Sequence, residues 1–155
     1  MSAFNPTIVR PVFENRARLL PADLRRVWRI ALMLVIVDAC RGHRASRLQC
    51  HVLSWALLHP KLRDVLETLV ASHTSYAVPI RIDPSAERAI DIAIGLHLLE
   101  EDSGRLGLTP RGQASLVEIQ SSSILAVERG ALERLPRRLT HGDAERILHA
   151  CSEAL

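Results

Sequence analysis

Apolar residues recur along this chain at helical spacing, interrupted once by a short stretch that alternates. From Pro21 and Asp23 onward, Leu24, Val27, Trp28, Ala31, Leu32, Val35 and Ile36 follow an i, i+3, i+4, i+7 pattern. That predicts a long helix to about Cys40, with Arg25, Arg26 and Arg29 largely on its other side and Gly42 at its end. A second helix is predicted over Ala45–Leu58, with Leu48, Val52, Trp55 and Ala56 on one face, closed by His59-Pro60 because the residue before proline resists the α region. A third covers Lys61–Ser72 through Leu62, Val65, Leu66 and Leu69. Tyr76–Ile82 then alternates loosely around Pro79, as an edge strand does.

The most informative stretch runs from Ala77 to Gln113. Asp83 can cap a helix with Pro84 at its first position, and that helix, predicted to Leu98, buries Ala89, Ile90, Ala93, Ile94 and Leu96. Leu98–Glu100 and Arg105–Leu108 read as hairpin strands turning at Asp102-Ser103-Gly104, where Gly104 supplies positive φ. Thr109 caps a helix to about Gln120 with Pro110 in its first turn; another follows over Ser123–Leu135, and Asp143 caps a last one ending near Ala154. Strand, capped helix, hairpin and helix in this order are the second half of a winged helix-turn-helix. The fold expected is mostly α, a winged helix-turn-helix with a short β-hairpin wing. Residues 1–16, with Pro6 and Pro11 and no periodicity, form an extended arm, 17–120 the winged-helix domain and 121–155 a C-terminal helical extension.

Composition and charge sharpen this. The chain has 155 residues, 48% hydrophobic, enough for one core, and five Phe, Trp and Tyr in all, so that core is aliphatic. Arg10 belongs to a basic front: residues 1–47 carry nine Arg against Glu14, Asp23 and Asp38, a net +6. Residues 61–104 carry Lys61, Arg63, Arg81 and Arg88 against eight acids, a net −4. A basic front beside an acidic middle points to two contact surfaces. The overall +3 is small for a general nucleic-acid binder. Lys61 is the lone Lys, a bias whose commonest source is a GC-rich genome. Three Cys cannot all pair within one chain, no secretory signal precedes them, and the longest apolar run, Ile30–Val37, is eight residues. Free thiols in a reducing, cytoplasmic setting and no membrane span are expected.

The candidate chemistry is sparse. Cys40, His43, Cys50 and His51 could in principle supply four metal ligands, but Cys50-His51 falls inside a helix, where adjacent side chains diverge by about 100°. Buried structural Cys beside a partly exposed His is the favoured reading, and His149 and Cys151 fail for the same reason. Ser121–Ser123 lies in a loop without a nucleophile frame, and the seven Gly are scattered, so there is no phosphate loop. No catalytic residue, cofactor site or metal site is expected, and the chain is read as a non-enzyme.

Nucleic-acid contact would fall to Arg88, Arg105 and Arg111. The helix from Pro84 offers Arg88 alone beside Glu87 and Asp91, and leads into Glu100, Glu101 and Asp102, the wrong sign for phosphate. A solvated acidic hairpin tip is the plain reading of that turn. In the arm, Ile8, Val9, Val12 and Phe13, followed by Arg16, Arg18, Arg25 and Arg26, are candidate partner-binding residues: short apolar anchors backed by charge that orients a docking partner.

Four segments together carry a family resemblance. They are the Leu-rich first helix, the Arg44-Ala-Ser-Arg-Leu start before a Trp-containing helix (to Trp55), the Val78-Pro-Ile-Arg-Ile-Asp-Pro passage, and the Gly104-Arg-Leu-Gly-Leu-Thr-Pro-Arg-Gly wing. Over residues 20–120 the chain resembles the small middle component of bacterial ABC-three-component systems, to which Lamassu antiphage defence belongs. The resemblance implies an accessory subunit without its own catalytic site, joining an SMC-like coiled-coil ATPase, which handles DNA, to an effector subunit such as a nuclease. The alternative is a homodimeric winged-helix transcriptional regulator, which needs a basic reading surface that only Arg88, Arg105 and Arg111 supply.

Overall fold

The computed structural model describes residues 22–71, 82–136 and 138–152. Arm residues Ile8 to Arg18 and the expected strand up to Arg81 lie outside these. The described elements are α1 (Ala22–Ala39), β1 (Arg44–Ala45), α2 (Arg47–Leu58), α3 (Pro60–Ala71), α4 (Pro84–Gly95), β2 (Leu99–Asp102), β3 (Arg105–Leu108), α5 (Pro110–Gln120), α6 (Ala126–Glu133) and α7 (His141–Ser152). The described residues are mostly helical with one small antiparallel sheet in the order β1-β3-β2, a winged-helix-like arrangement.

α1 is the central helix. Every residue from Ile30 to Val37 is buried, because α2, α4, α5, α6 and the sheet all pack on it. A single-stripe reading of its pattern therefore fails: Ile30, Met33, Leu34 and Val37 are core, while Val27, beyond the packed region, is 62% exposed. The same holds for α2, where Gln49 to Ser54 are all buried and Leu48 and Trp55 only border the core. A helix enclosed on all sides loses the amphipathic signature from which its face would be read.

The hairpin forms, but its first strand is Leu99–Asp102 and not Leu98–Glu100: Asp102, expected in the turn, pairs with Arg105, and the turn is the two residues Ser103 (φ 51) and Gly104 (φ 73), both with positive φ. β3 also pairs with β1, Arg44 opposite Gly107 and Ala45 opposite Leu106. Two residues leave no alternation to read, and Ala45, expected in the helix, is strand. The helix before the wing ends at Gly95, three residues earlier than expected. His97 takes a left-handed φ of 55 while Leu98 N–H reaches Ala93 O and His97 N–H reaches Ile94 O, a Schellman closure. That early stop leaves Leu96 exposed instead of buried.

Thr109 caps α5 by accepting from Gly112 N–H. α6 starts at Ala126, after a left-handed Leu125, not at Ser123. α7 is capped by Thr140, whose Oγ1 accepts from Asp143 N–H while Asp143 Oδ2 accepts from Thr140 N–H; Asp143 is thus the returning partner of a capping box and not the cap. Leu132, Leu139, Ala144 and Ile147 join the same core as α1 and α2, so the C-terminal helices share one hydrophobic cluster with the winged helix. No described helix is long and apolar enough to cross a membrane.

Candidate interaction face and its arginine clasp

Ser46 follows β1 and caps α2 in a capping box with Gln49, which places Arg47 at the first helical position beside the wing and α4. Its guanidinium binds three carboxylates. Nε and Nη2 donate to Glu101 Oε1 and Oε2 at 3.0 and 2.8 Å, and Nη1 donates to Asp91 Oδ1 at 3.1 Å and to Glu87 Oε1. One turn along α2, His51 Nε2 meets Glu87 Oε2 at 2.6 Å, while its Nδ1 is enclosed without a partner. Nearby, Arg44 lies 3.8 Å from Glu100 and 3.9 Å from Asp102. Arg29 on α1 donates to Asp83 Oδ2 at 2.6 Å, and the other oxygen of Asp83 caps α4 through Ser85 N–H.

The electrostatic effects follow this geometry. The two hydrogen bonds from Arg47 hold the Glu101 carboxyl below its ordinary range, and Glu101 in turn leads the groups that raise Arg47. Burial alone would raise Asp83, but the Ser85 amide and Arg29 outweigh it and lower it. Six of the eight acids in 61–104 are thereby met by Arg29, Arg44 and Arg47 from the basic front of the chain. Most of the acidic middle therefore meets part of the basic front within the fold, as a seam between the α1–α2 half and the α4–wing half. Glu101 is part of that seam and not a solvated tip. Most of these side chains are 30% exposed or more, so each pair contributes about 0–1 kcal/mol, and the network fixes orientation more than stability.

The outward face of α4 has a different character. Ser85, Arg88 and Asp91 are exposed there, and Ile92 and Leu96 follow one turn apart, 37% and 45% exposed. The three candidate nucleic-acid contacts do not form one surface. Arg88 is exposed on α4 and Arg111 on the first turn of α5, but Arg105 is turned inward, with Nη2 donating to Arg44 O at 3.4 Å and Nε enclosed. Arg25 and Arg26 are exposed on the first turns of α1; Ile8, Val9, Val12, Phe13, Arg16 and Arg18 lie outside the described residues.

Cys40 and Cys50 are core residues. Burial pushes Cys40 up to about 12, with Arg105 and Arg138 offsetting only part of it, and burial and then nearby Cys40 push Cys50 higher still. His51 is buried, not partly exposed, because it packs toward Glu87 under Arg47. His43 is exposed and contacts the Asp38 carboxylate at 2.9 Å. Among the described residues, no three His, Cys, Asp or Glu are grouped to hold a metal ion. Ser121 and Ser122 donate their hydroxyls to Glu118 O and Ile119 O at the end of α5.

Sequence reasoning missed the clasp itself. Arg47 and Glu87 are 40 positions apart, and only the opposite net charge of the two segments hinted that they meet. No protein-family model, no curated protein and no solved structure matches this chain.

Proposed function

We propose that this chain is a non-catalytic assembly subunit of an SMC-like ATPase antiphage complex, bridging the ATPase and a nuclease-like effector, and that the outward face of α4 is one of its docking surfaces. The observation that carries this reading is the commitment of the basic groups around the reading helix. Arg44 and Arg47, the arginines placed to reach phosphate beside α4, are tied to Glu87, Asp91, Glu100, Glu101 and Asp102. What α4 then offers outward is one base, one acid and the Ile92–Leu96 pair. Duplex binding is driven by neutralising phosphates, which this face does poorly. An aliphatic i, i+4 pair flanked by charge suits a groove on another protein.

The test is co-purification with an SMC-like coiled-coil ATPase, whose gene this reading expects next to that of this chain. Ile92→Asp with Leu96→Asp should leave the helical circular dichroism spectrum intact and abolish co-purification. The isolated chain should bind duplex DNA weakly and without sequence preference. A tight, sequence-specific footprint at physiological salt overturns the reading in favour of an operator-binding regulator.

A further inference from the structure

A second surface is independent of α4. Between the N-terminal half of α1 and α5 runs an open groove of about 450 Å³, lined by Val27, Trp28, Leu34, Leu98, Ile119 and Ile124 among others. Its two walls end in large aliphatic side chains left in water, Val27 at 62% exposure and Ile124 at 48%. The groove is thus a hollow bordered by its own ridges. Its edges carry opposite charge: exposed Arg26 stands one turn before Ile30, which lines the α1 side, and Glu118 lines the α5 side.

These features select among occupants. A two-fold contact places one patch against itself, so the patch must hold both ridge and hollow, and charges of both signs. A rim of one sign would repel its copy, whereas here Arg26 of each copy can face Glu118 of the other. We propose that this groove is a self-association surface: two copies of this chain pair through α1 and α5, with Val27 of each entering the hollow between Trp28 and Ile119 of the other. Such pairing leaves the α4 face open and supplies no basic reading surface, so it is compatible with the assembly role and does not depend on it.

Trp28 is a reporter inside the proposed interface, and with only one other Trp in the chain, Trp55→Phe makes it the sole one. Sedimentation of the full chain from micromolar to near-millimolar concentration should show a monomer–dimer equilibrium, with Trp28 emission shifting to the blue over the same range. Val27→Glu, on an exposed position that the fold does not need, should weaken association by about tenfold or more. Arg26→Glu should weaken it too, and adding Glu118→Arg should restore it, since the exchange preserves the pair. A monomer at every concentration overturns the proposal, as does a dimer unaffected by Val27→Glu or an exchange that fails to restore it. A blue-shifted Trp28 at every concentration that reddens on deletion of residues 1–14 also overturns it, and assigns the groove to the chain's own first residues.

Discussion

Gly112 is a position where propensity and packing give opposite signs. It lies in the first turn of α5, and in a helix Ala is favoured over Gly by about 1 kcal/mol. A Cβ built on Gly112, however, would lie 2.0 Å from the carbonyl oxygen of Leu98 and 3.2 Å from Leu108 Cδ2. Carbon and oxygen atoms normally stand about 3.3 Å apart, so that carbonyl would have to retreat by more than about 1 Å. It is backbone, and it already accepts from Thr109 N–H at 3.1 Å. Retreat would strain the junction of wing and α5 and weaken that bond, with a net value of about 1 kcal/mol. With an overpacking cost of about 1–3 kcal/mol, Gly112→Ala should destabilise by about 1–3 kcal/mol after the propensity gain is subtracted. Gly95, the last residue of α4, has nothing within 4 Å of the same built atom, so Gly95→Ala should stabilise by about 0.5–1 kcal/mol. Urea unfolding followed by circular dichroism measures both. If Gly112→Ala proves as stable as Gly95→Ala, the tight contact between α5 and the Leu98 carbonyl is not part of the folded protein.

Glu101 is depressed by Arg47, so its contribution is fully present above the ordinary carboxyl value of 4.5 and is lost as pH falls through the lower folded value. A double-mutant cycle of Glu101→Gln with Arg47→Ala should give a coupling of about 1 kcal/mol or less at neutral pH that disappears in strong acid; a coupling unchanged by acid would refute the charge pairing. His97→Gly, at a left-handed position that glycine occupies without a Cβ penalty, should raise the urea midpoint by about 0.5 kcal/mol equivalent after the entropy of an added glycine is counted; a lowered midpoint would show that the imidazole holds this turn by a contact of its own.

Local chemistry made the fold legible. The Asp83-Pro84 start, the positive φ of Gly104 in the hairpin turn and the Thr109-Pro110 start each depend on neighbours a few residues apart, and all three stand where their sequence places them. What could not be read depends on distant partners. Ala45 is strand only because Leu106 lies opposite it, and Leu96 is exposed because the chain turns left-handed at His97, a residue that carries no such signal. Of the candidate site, the acids around α4 were visible as a charge excess, but their partners were not. Arg47 stood only as the second arginine of the Arg44-Ala-Ser-Arg-Leu segment until the fold brought Glu87, Asp91 and Glu101 to it.

The short passage from Arg44 to Gln49 has a consequence for how the chain assembles and how far it can be trimmed. Its strand residues are completed by β3, some 60 positions later, and Gln49, wholly buried, donates its amide to Leu139 O while Ser46 Oγ meets His141 Nδ1 at 2.7 Å, each 90 or more positions away. Hairpins and single helices close within microseconds, but this passage cannot be satisfied until both later segments arrive. Its buried polar groups are therefore satisfied only when the segment from Leu139 to His141 is in place. A chain cut before Leu139 would keep every residue of the winged helix yet strand a buried amide at the start of α2. The C-terminal helices thus act as a closing piece, without which the first half has no finished state.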